Sequence, residues 1–265
     1  MLKIINASKI FSLGTPNEHL ALDKISVTLP PGDFVTIIGS NGAGKSTLMN
    51  GISGSFWLDE GNISLDGMDI TFVKEHKRAK LIGRLFQDPM KGTAPSLTIE
   101  ENLALAYSRK KKMSLSIAVQ KKEREFFKDA LSEFNMGLED RMHTKVGLLS
   151  GGQRQVVTLL MATIALPKLL LLDEHTAALD PATAQKVLEI TSSIVSKNKL
   201  TTMMITHNIQ SALKMGNRTI MMNEGKIILD ISGEERGKIT IPELMEMYSK
   251  KANVDLDDDN ILLSK

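Results

Sequence analysis

The segment FVTIIGSNGAGKSTLMN, residues 34–50, constrains the fold more than any other part of the chain. FVTII is a short, mostly apolar run, the pattern of a buried strand. It ends at Gly39 in a polar, glycine-rich loop, and residues 46–53 look helical. GSNGAGKST fits the spacing G-x-x-x-x-G-K-[ST], with Gly39, Gly44, Lys45 and Ser46 in the fixed places. Glycines let backbone N–H groups turn inward around phosphate oxygens, and the helix start adds partial positive charge. A strand before and a helix after form the context that makes the pattern specific. The sequence therefore predicts a phosphate site at Gly39, Ser40, Asn41, Gly42, Ala43, Gly44, Lys45, Ser46 and Thr47. Lys45 is expected to reach the terminal phosphates and the Ser46 hydroxyl to hold Mg²⁺.

A second segment, KLLLLDE at 168–174, complements the first. Four leucines again imply a strand buried on both faces. Asp173 and Glu174 then fall at its C-terminal end, where open α/β sheets place their ligands. Successive strand residues point in different directions. Asp173 thus suits the Mg²⁺ shell and Glu174 an attacking water, as general base.

The rest of the chain alternates strands with helices. Residues 2–9 and 22–29 alternate like half-buried strands, LTTMMIT at 200–206 reads as a strand, and a helix is expected after Pro181. Hairpins are expected at 62–70, turning at Asp66-Gly67, and at 218–230, turning at Asn223-Glu224-Gly225. Residues 96–140 read as helix-rich and highly charged.

Composition excludes several classes. The chain has 265 residues and no cysteine, so neither a disulfide framework nor a thiolate metal site is possible. A net charge of +2 gives no footprint for nucleic acid. No apolar run is long enough to span a membrane, and MLKIINASKI lacks a signal core. These features point to a soluble, cytoplasmic protein. The basic run RKKK at 109–112 reads as a solvated face, and the acidic run DLDDDN at 255–260 as a tail rather than a calcium loop.

LSGGQ at 149–153 identifies the kind of phosphate-binding protein: it resembles the signature of ATP-binding cassette ATPases. It begins 20 positions before Leu169, so the signature helix leads into the LLLLDE strand. The resemblance covers roughly residues 1–230. Gln87, in RLFQDP, matches the family's glutamine loop; His207, in ITHN, its switch histidine; and Asp180, in AALDP, its aspartate loop. Phe11, in SKIF, falls where the family keeps an aromatic residue against adenine. One departure stands out: His175 follows the glutamate where the family usually has proline. Proline there mainly restricts the backbone, so His175 is read as a neutral replacement and not as a catalytic group.

The resemblance implies an α/β fold: a P-loop NTPase core with a mainly parallel sheet, an antiparallel β subdomain and an inserted α-helical subdomain. The ATPase domain would span residues 1–240, with the helical subdomain at about 88–160 and an extension at 241–265. It also implies ATP and Mg²⁺ as ligands, with Ser46, Gln87 and Asp173 around the metal. Catalysis would fall to Glu174, His207 and Gln87. Ser150, Gly151, Gly152 and Gln153 would close over the ATP held by a second cassette, making a homodimer the working form. The implied partners are a separate transmembrane permease and a substrate-binding protein, with no nucleic acid, and the implied location is the inner face of the cell membrane. The stretch GTAPSLTIEENLALAYSR looks like a subgroup linked to uptake of amino acids or related small solutes. The alternatives are a soluble cassette ATPase acting on ribosomes or DNA, disfavoured by the single cassette, and a nucleotide kinase, which leaves LSGGQ and His207 unexplained.

Overall fold

In the computed structural model, residues 1–110 and 119–252 are described. The chain begins with β1 (Leu2–Phe11), β2 (His19–Leu29), β3 (Phe34–Ile38), α1 (Lys45–Ser53), β4 (Glu60–Leu65), β5 (Met68–Asp69) and α2 (Glu75–Arg78). It continues through β6 (Ile82–Leu85), α3 (Ile99–Tyr107), α4 (Lys121–Ser132), α5 (Gly151–Thr163), β7 (Leu169–Asp173) and α6 (Pro181–Asn198). The last part is β8 (Thr202–Ile205), α7 (Ile209–Lys214), β9 (Arg218–Asn223), β10 (Lys226–Ser232), α8 (Gly233–Lys238) and α9 (Ile241–Ala252). These elements form two compact units: Met1–Arg78 with the chain from Lys199 onward, and Ala79–Asn198.

The first unit contains an antiparallel sheet in the order β2-β1-β4-β5. The β4–β5 hairpin turns at Asp66 and Gly67, both at positive φ, in the sense that matches strand twist. The β9–β10 hairpin turns in the same way at Glu224 and Gly225. β3 lies between β8 and β9 and pairs parallel to both. All five of its residues are buried, which explains why four of them are apolar, and the hydroxyl of the fifth, Thr36, donates to the Ala212 carbonyl at 3.0 Å. Strand β2 starts at His19, earlier than its alternation suggests, because His19 pairs with Phe11 of β1.

The second unit holds the parallel pair β6 and β7, with Ile82 opposite Leu169 and Leu85 opposite Leu172. Leu169 to Leu172 are fully buried. Truncating one of them to alanine would cost about 2–5 kcal/mol. Helices α3 and α4 are joined by Arg124, which donates to both oxygens of Glu100 at 2.7–3.0 Å. Thr98 and Glu101 form a reciprocal cap at the start of α3.

Strand β6 and helix α9 were not anticipated from sequence. IGRL is short and carries a glycine and an arginine, so its strand pattern is weak. In α9, Leu244, Met245 and Tyr248 are buried against Ile38, Ile209, Ala212, Met221, Leu229 and Ile231. Among the described residues no helix is long and apolar enough to cross a membrane. Arg109 of the basic run is exposed; residues 111 and 112, and the acidic run at 255–260, lie outside the described residues.

Candidate functional site

In the first unit the glycine-rich loop leaves β3 and enters α1, as its sequence demands. Gly44 caps α1 in the left-handed conformation, with φ at 95°. A Cβ there would sit 2.6 Å from the Ala21 carbonyl oxygen, and one at Gly39 would sit 2.2 Å from that of Met222. Both glycines are therefore required by the backbone around them. Asn41, Gly42 and Ser46 are exposed, whereas Lys45 is buried. The Lys45 ammonium donates to the carbonyls of Gly39 at 2.7 Å and Ser40 at 2.8 Å. The first turn of α1 carries no acidic residue of its own at the helix's positive end.

His207 belongs to the same edge of the sheet. Ile37 pairs with Ile205, so β3 and β8 end side by side. The Thr206 amide donates to the Ile37 carbonyl at 3.2 Å, which anchors the turn that carries His207. Asn208 then caps α7, accepting from the Ser211 amide at 2.7 Å. Phe11 stands at the end of β1, 39% exposed, edge-on to Phe56 at 5.4 Å. The Lys9 ammonium lies 5.6 Å and 5.5 Å from the two ring centroids and pairs with Asp59 at 2.9 Å. The Ile10 amide donates to Asp59 and, together with Lys9, holds its carboxyl below the usual range.

The second unit brings Gln87, Asp173 and Glu174 together at the C-terminal ends of β6 and β7. Gln87 donates through Nε2 to Glu174 Oε2 at 3.2 Å. Its amide oxygen faces no such demand from Glu174. Glu174 adopts a left-handed backbone with φ at 46°, a conformation of order 1–3 kcal/mol above the common ones that concentrates at functional positions. Arg84 of β6 approaches Asp173 at 3.8 Å, and its guanidinium lies over the Phe86 ring at 4.5 Å. Asp180 accepts from the Thr183 amide at 3.0 Å and starts α6; hydrogen bonds from Thr183 keep its carboxyl below the ordinary range.

His175 is buried, with Nε2 3.2 Å from the Thr191 hydroxyl. That hydroxyl donates its one hydrogen to the Val187 carbonyl at 2.8 Å. It must therefore accept from His175, which places the imidazole proton on Nε2. Burial pushes the His175 pKa down to about 4, so the ring is neutral near pH 7. Its link to α6 restrains the chain after Glu174, a task that proline would perform through its ring.

Ser150 caps α5, its hydroxyl accepting from the Gln153 amide while the Gln153 side chain accepts from the Ser150 amide, both at 3.3 Å. Arg154 donates to the carbonyls of Val146, Gly147 and Leu149, pinning the turn before the cap. Gly151 is exposed and Gly152 buried. A Cβ at Gly152 would meet the Thr183 methyl at 2.2 Å, so close packing of α5 on α6 requires glycine there. The sequence carried no sign of this second reason. It also gave no sign of Arg84, except as a charge inside an otherwise apolar run, or of Thr191 as the partner of His175.

Within the second unit Gln87 and Asp173 offer an amide carbonyl and a carboxylate, oxygen donors of the kind a hard divalent cation such as Mg²⁺ takes; in the first unit Ser46 offers an exposed hydroxyl.

Comparison with known proteins supports the same reading. Residues 22–177 match the family described as ABC transporter. The chain is 44% identical, over 94% of its length and 98% of the relative's, to a tyrosine transport ATP-binding protein of Clostridioides difficile (strain R20291). It is 32% identical to a thiamine import ATP-binding protein of Escherichia coli (strain K12), covering 86% of this chain and 90% of that one. A solved ATP-binding cassette, dimeric in a post-hydrolysis state with ADP and Pi, superposes with a TM-score of 0.74. It is 28% identical and covers 88% of this chain and 98% of its own.

Proposed function

The chain belongs to the ABC transporter family and is an ATP-hydrolysing cassette, and from that premise we propose that it drives amino-acid uptake through a separate membrane permease. The observation that carries the solute class is the 44% identity to the tyrosine transport protein, against 29–35% for the relatives named for thiamine, pentoses, phosphonates and coupling factors. On this reading the cassette sits on the inner face of the membrane, held there by the permease.

The proposed chemistry follows from the residues. Phe11 lies against the adenine, and the N–H groups of residues 39–47 with Lys45 hold the phosphates. Ser46, Gln87 and Asp173 would hold Mg²⁺, which when bound offsets the negative charge of the terminal phosphates. Glu174 polarises a water that attacks the γ-phosphorus in line with the departing ADP oxygen. His207 donates to the γ-phosphate. Ser150, Gly151, Gly152 and Gln153 present a hydroxyl, backbone N–H groups and a helix start to the ATP of a second copy, and Asp180 shapes the loop beside them. The post-hydrolysis dimer of a related cassette supports the paired form.

The test is reconstitution. Membrane proteins captured with this chain are placed in proteoliposomes, and ATP-driven accumulation of labelled tyrosine and other amino acids is measured. Accumulation that requires ATP and this chain supports the proposal. Capture of no polytopic membrane protein, or ATP-driven transport of a different class of solute alone, contradicts it.

A further inference from the structure

Two hydroxyl groups from distant parts of the chain meet on one oxygen of Asn223. Ser40, in the glycine-rich loop, donates to Asn223 Oδ1 at 3.4 Å. Tyr248, on α9, donates to the same atom at 3.4 Å. Asn223 itself ends β9, at the turn that touches the loop from behind: the Gly225 amide donates to the Ala43 carbonyl at 3.1 Å. The Met222 carbonyl is the group that leaves no room for a side chain at Gly39. Tyr248 is 1% exposed and belongs to the same buried cluster as Ile38, the residue before Gly39.

We infer that Asn223 and Tyr248 are positioning residues of the phosphate loop, so that the C-terminal helix α9 helps set how tightly the loop binds nucleotide. The inference rests on reading residues 39–47 as the phosphate site. Ser40 is held at two points, its carbonyl by the Lys45 ammonium and its hydroxyl by Asn223. A shift of Asn223 therefore moves the carbonyl on which Lys45 rests. Packing alone does not call for a tyrosine at 248. Phenylalanine would fill the same apolar space without bringing in a hydroxyl that must find a partner. With Oδ1 accepting two donors, the Asn223 amide has one orientation, and the line from α9 to the loop has one geometry.

The experiment measures ADP affinity by calorimetry in the presence of Mg²⁺, alongside thermal stability, for the full chain and five variants. Tyr248→Phe keeps the packing and removes the hydroxyl; it should weaken ADP binding about three-fold with little change in Tm. Asn223→Ala should weaken binding further, and adding Tyr248→Phe to it should bring no additional loss, because both act through one line. Met245→Ala, which loosens α9 without touching that line, should lower Tm and leave ADP affinity unchanged. Unaltered affinity in Tyr248→Phe overturns the inference. So do losses that multiply in the double variant, or a loss in Met245→Ala that equals the one in Tyr248→Phe. Lys45→Ala separates the premise: if it binds ADP like the parent, the phosphate-loop reading fails and this inference with it.

Discussion

Gln87 and Glu174 are joined by a hydrogen bond of 3.2 Å at the ends of two adjacent parallel strands. Leu85 pairs with Leu172, so each side chain emerges two residues beyond a fixed register. The pairing, rather than a flexible loop, sets the distance between them. Glu174 follows β7 in a left-handed backbone conformation, and its carboxylate accepts the bond from Gln87.

Removing that bond should affect turnover more than binding. Gln87→Ala is expected to lower kcat about ten-fold, as loss of a hydrogen bond to a charged group does, with ATP affinity measured in the absence of Mg²⁺ within about two-fold of the parent. Single-turnover hydrolysis and equilibrium nucleotide binding, measured on the same preparation, check this split. Equal losses in both would show that Gln87 serves binding and does not position Glu174.

Gly152 allows packing and phosphate approach to be separated. Gly152→Ala drives a methyl into Thr183 and should destabilise the protein by about 1–3 kcal/mol. Adding Thr183→Ser removes the opposing methyl and should restore most of the Tm. If glycine also serves the signature by leaving its amides accessible, hydrolysis stays low in the restored double variant. Full recovery of both Tm and hydrolysis would make packing the whole reason for the glycine.

His175 makes stability depend on acidity. The unfolded imidazole binds a proton near pH 6.5, the buried one only near pH 4. As pH falls through this window the unfolded chain gains a proton that the folded chain refuses, and stability is lost. The difference amounts to about 3 kcal/mol once pH is below both values, and none of it is felt above about pH 7. His175→Gln retains a donor toward Thr191 and does not titrate. Denaturant unfolding between pH 4 and 7 should show a shallower pH dependence in this variant. Identical slopes in variant and parent would contradict the burial argument.

Much of this was legible in sequence because local chemistry left few choices. The glycine-rich loop, the mostly apolar strands and the Asp66-Gly67 turn each have a residue pattern that one backbone geometry explains. The order of Gln87, Ser150, Glu174, Asp180 and His207 along the chain supplied the family. What escaped depends on distant partners. Tyr248 and Asn223 lie 25 positions apart, and neither segment signals the other. Arg84 reads as an error in an apolar run until Asp173 and Phe86 are seen beside it. His175 looks like a simple replacement for proline; its neutrality and its proton on Nε2 follow only from burial against Thr191. Gly152 had one plausible reason in sequence and acquires a second from a helix that begins almost 30 residues later.

The central claim is that this cassette hydrolyses ATP with Glu174 as the base, and Glu174→Gln tests it most directly. The amide keeps the size and a hydrogen-bonding group but cannot accept the proton of the attacking water. Steady-state ATPase should fall by at least about 100-fold while ATP still binds, and size-exclusion chromatography with ATP should show a dimer that persists. ATPase activity near that of the parent would contradict the account.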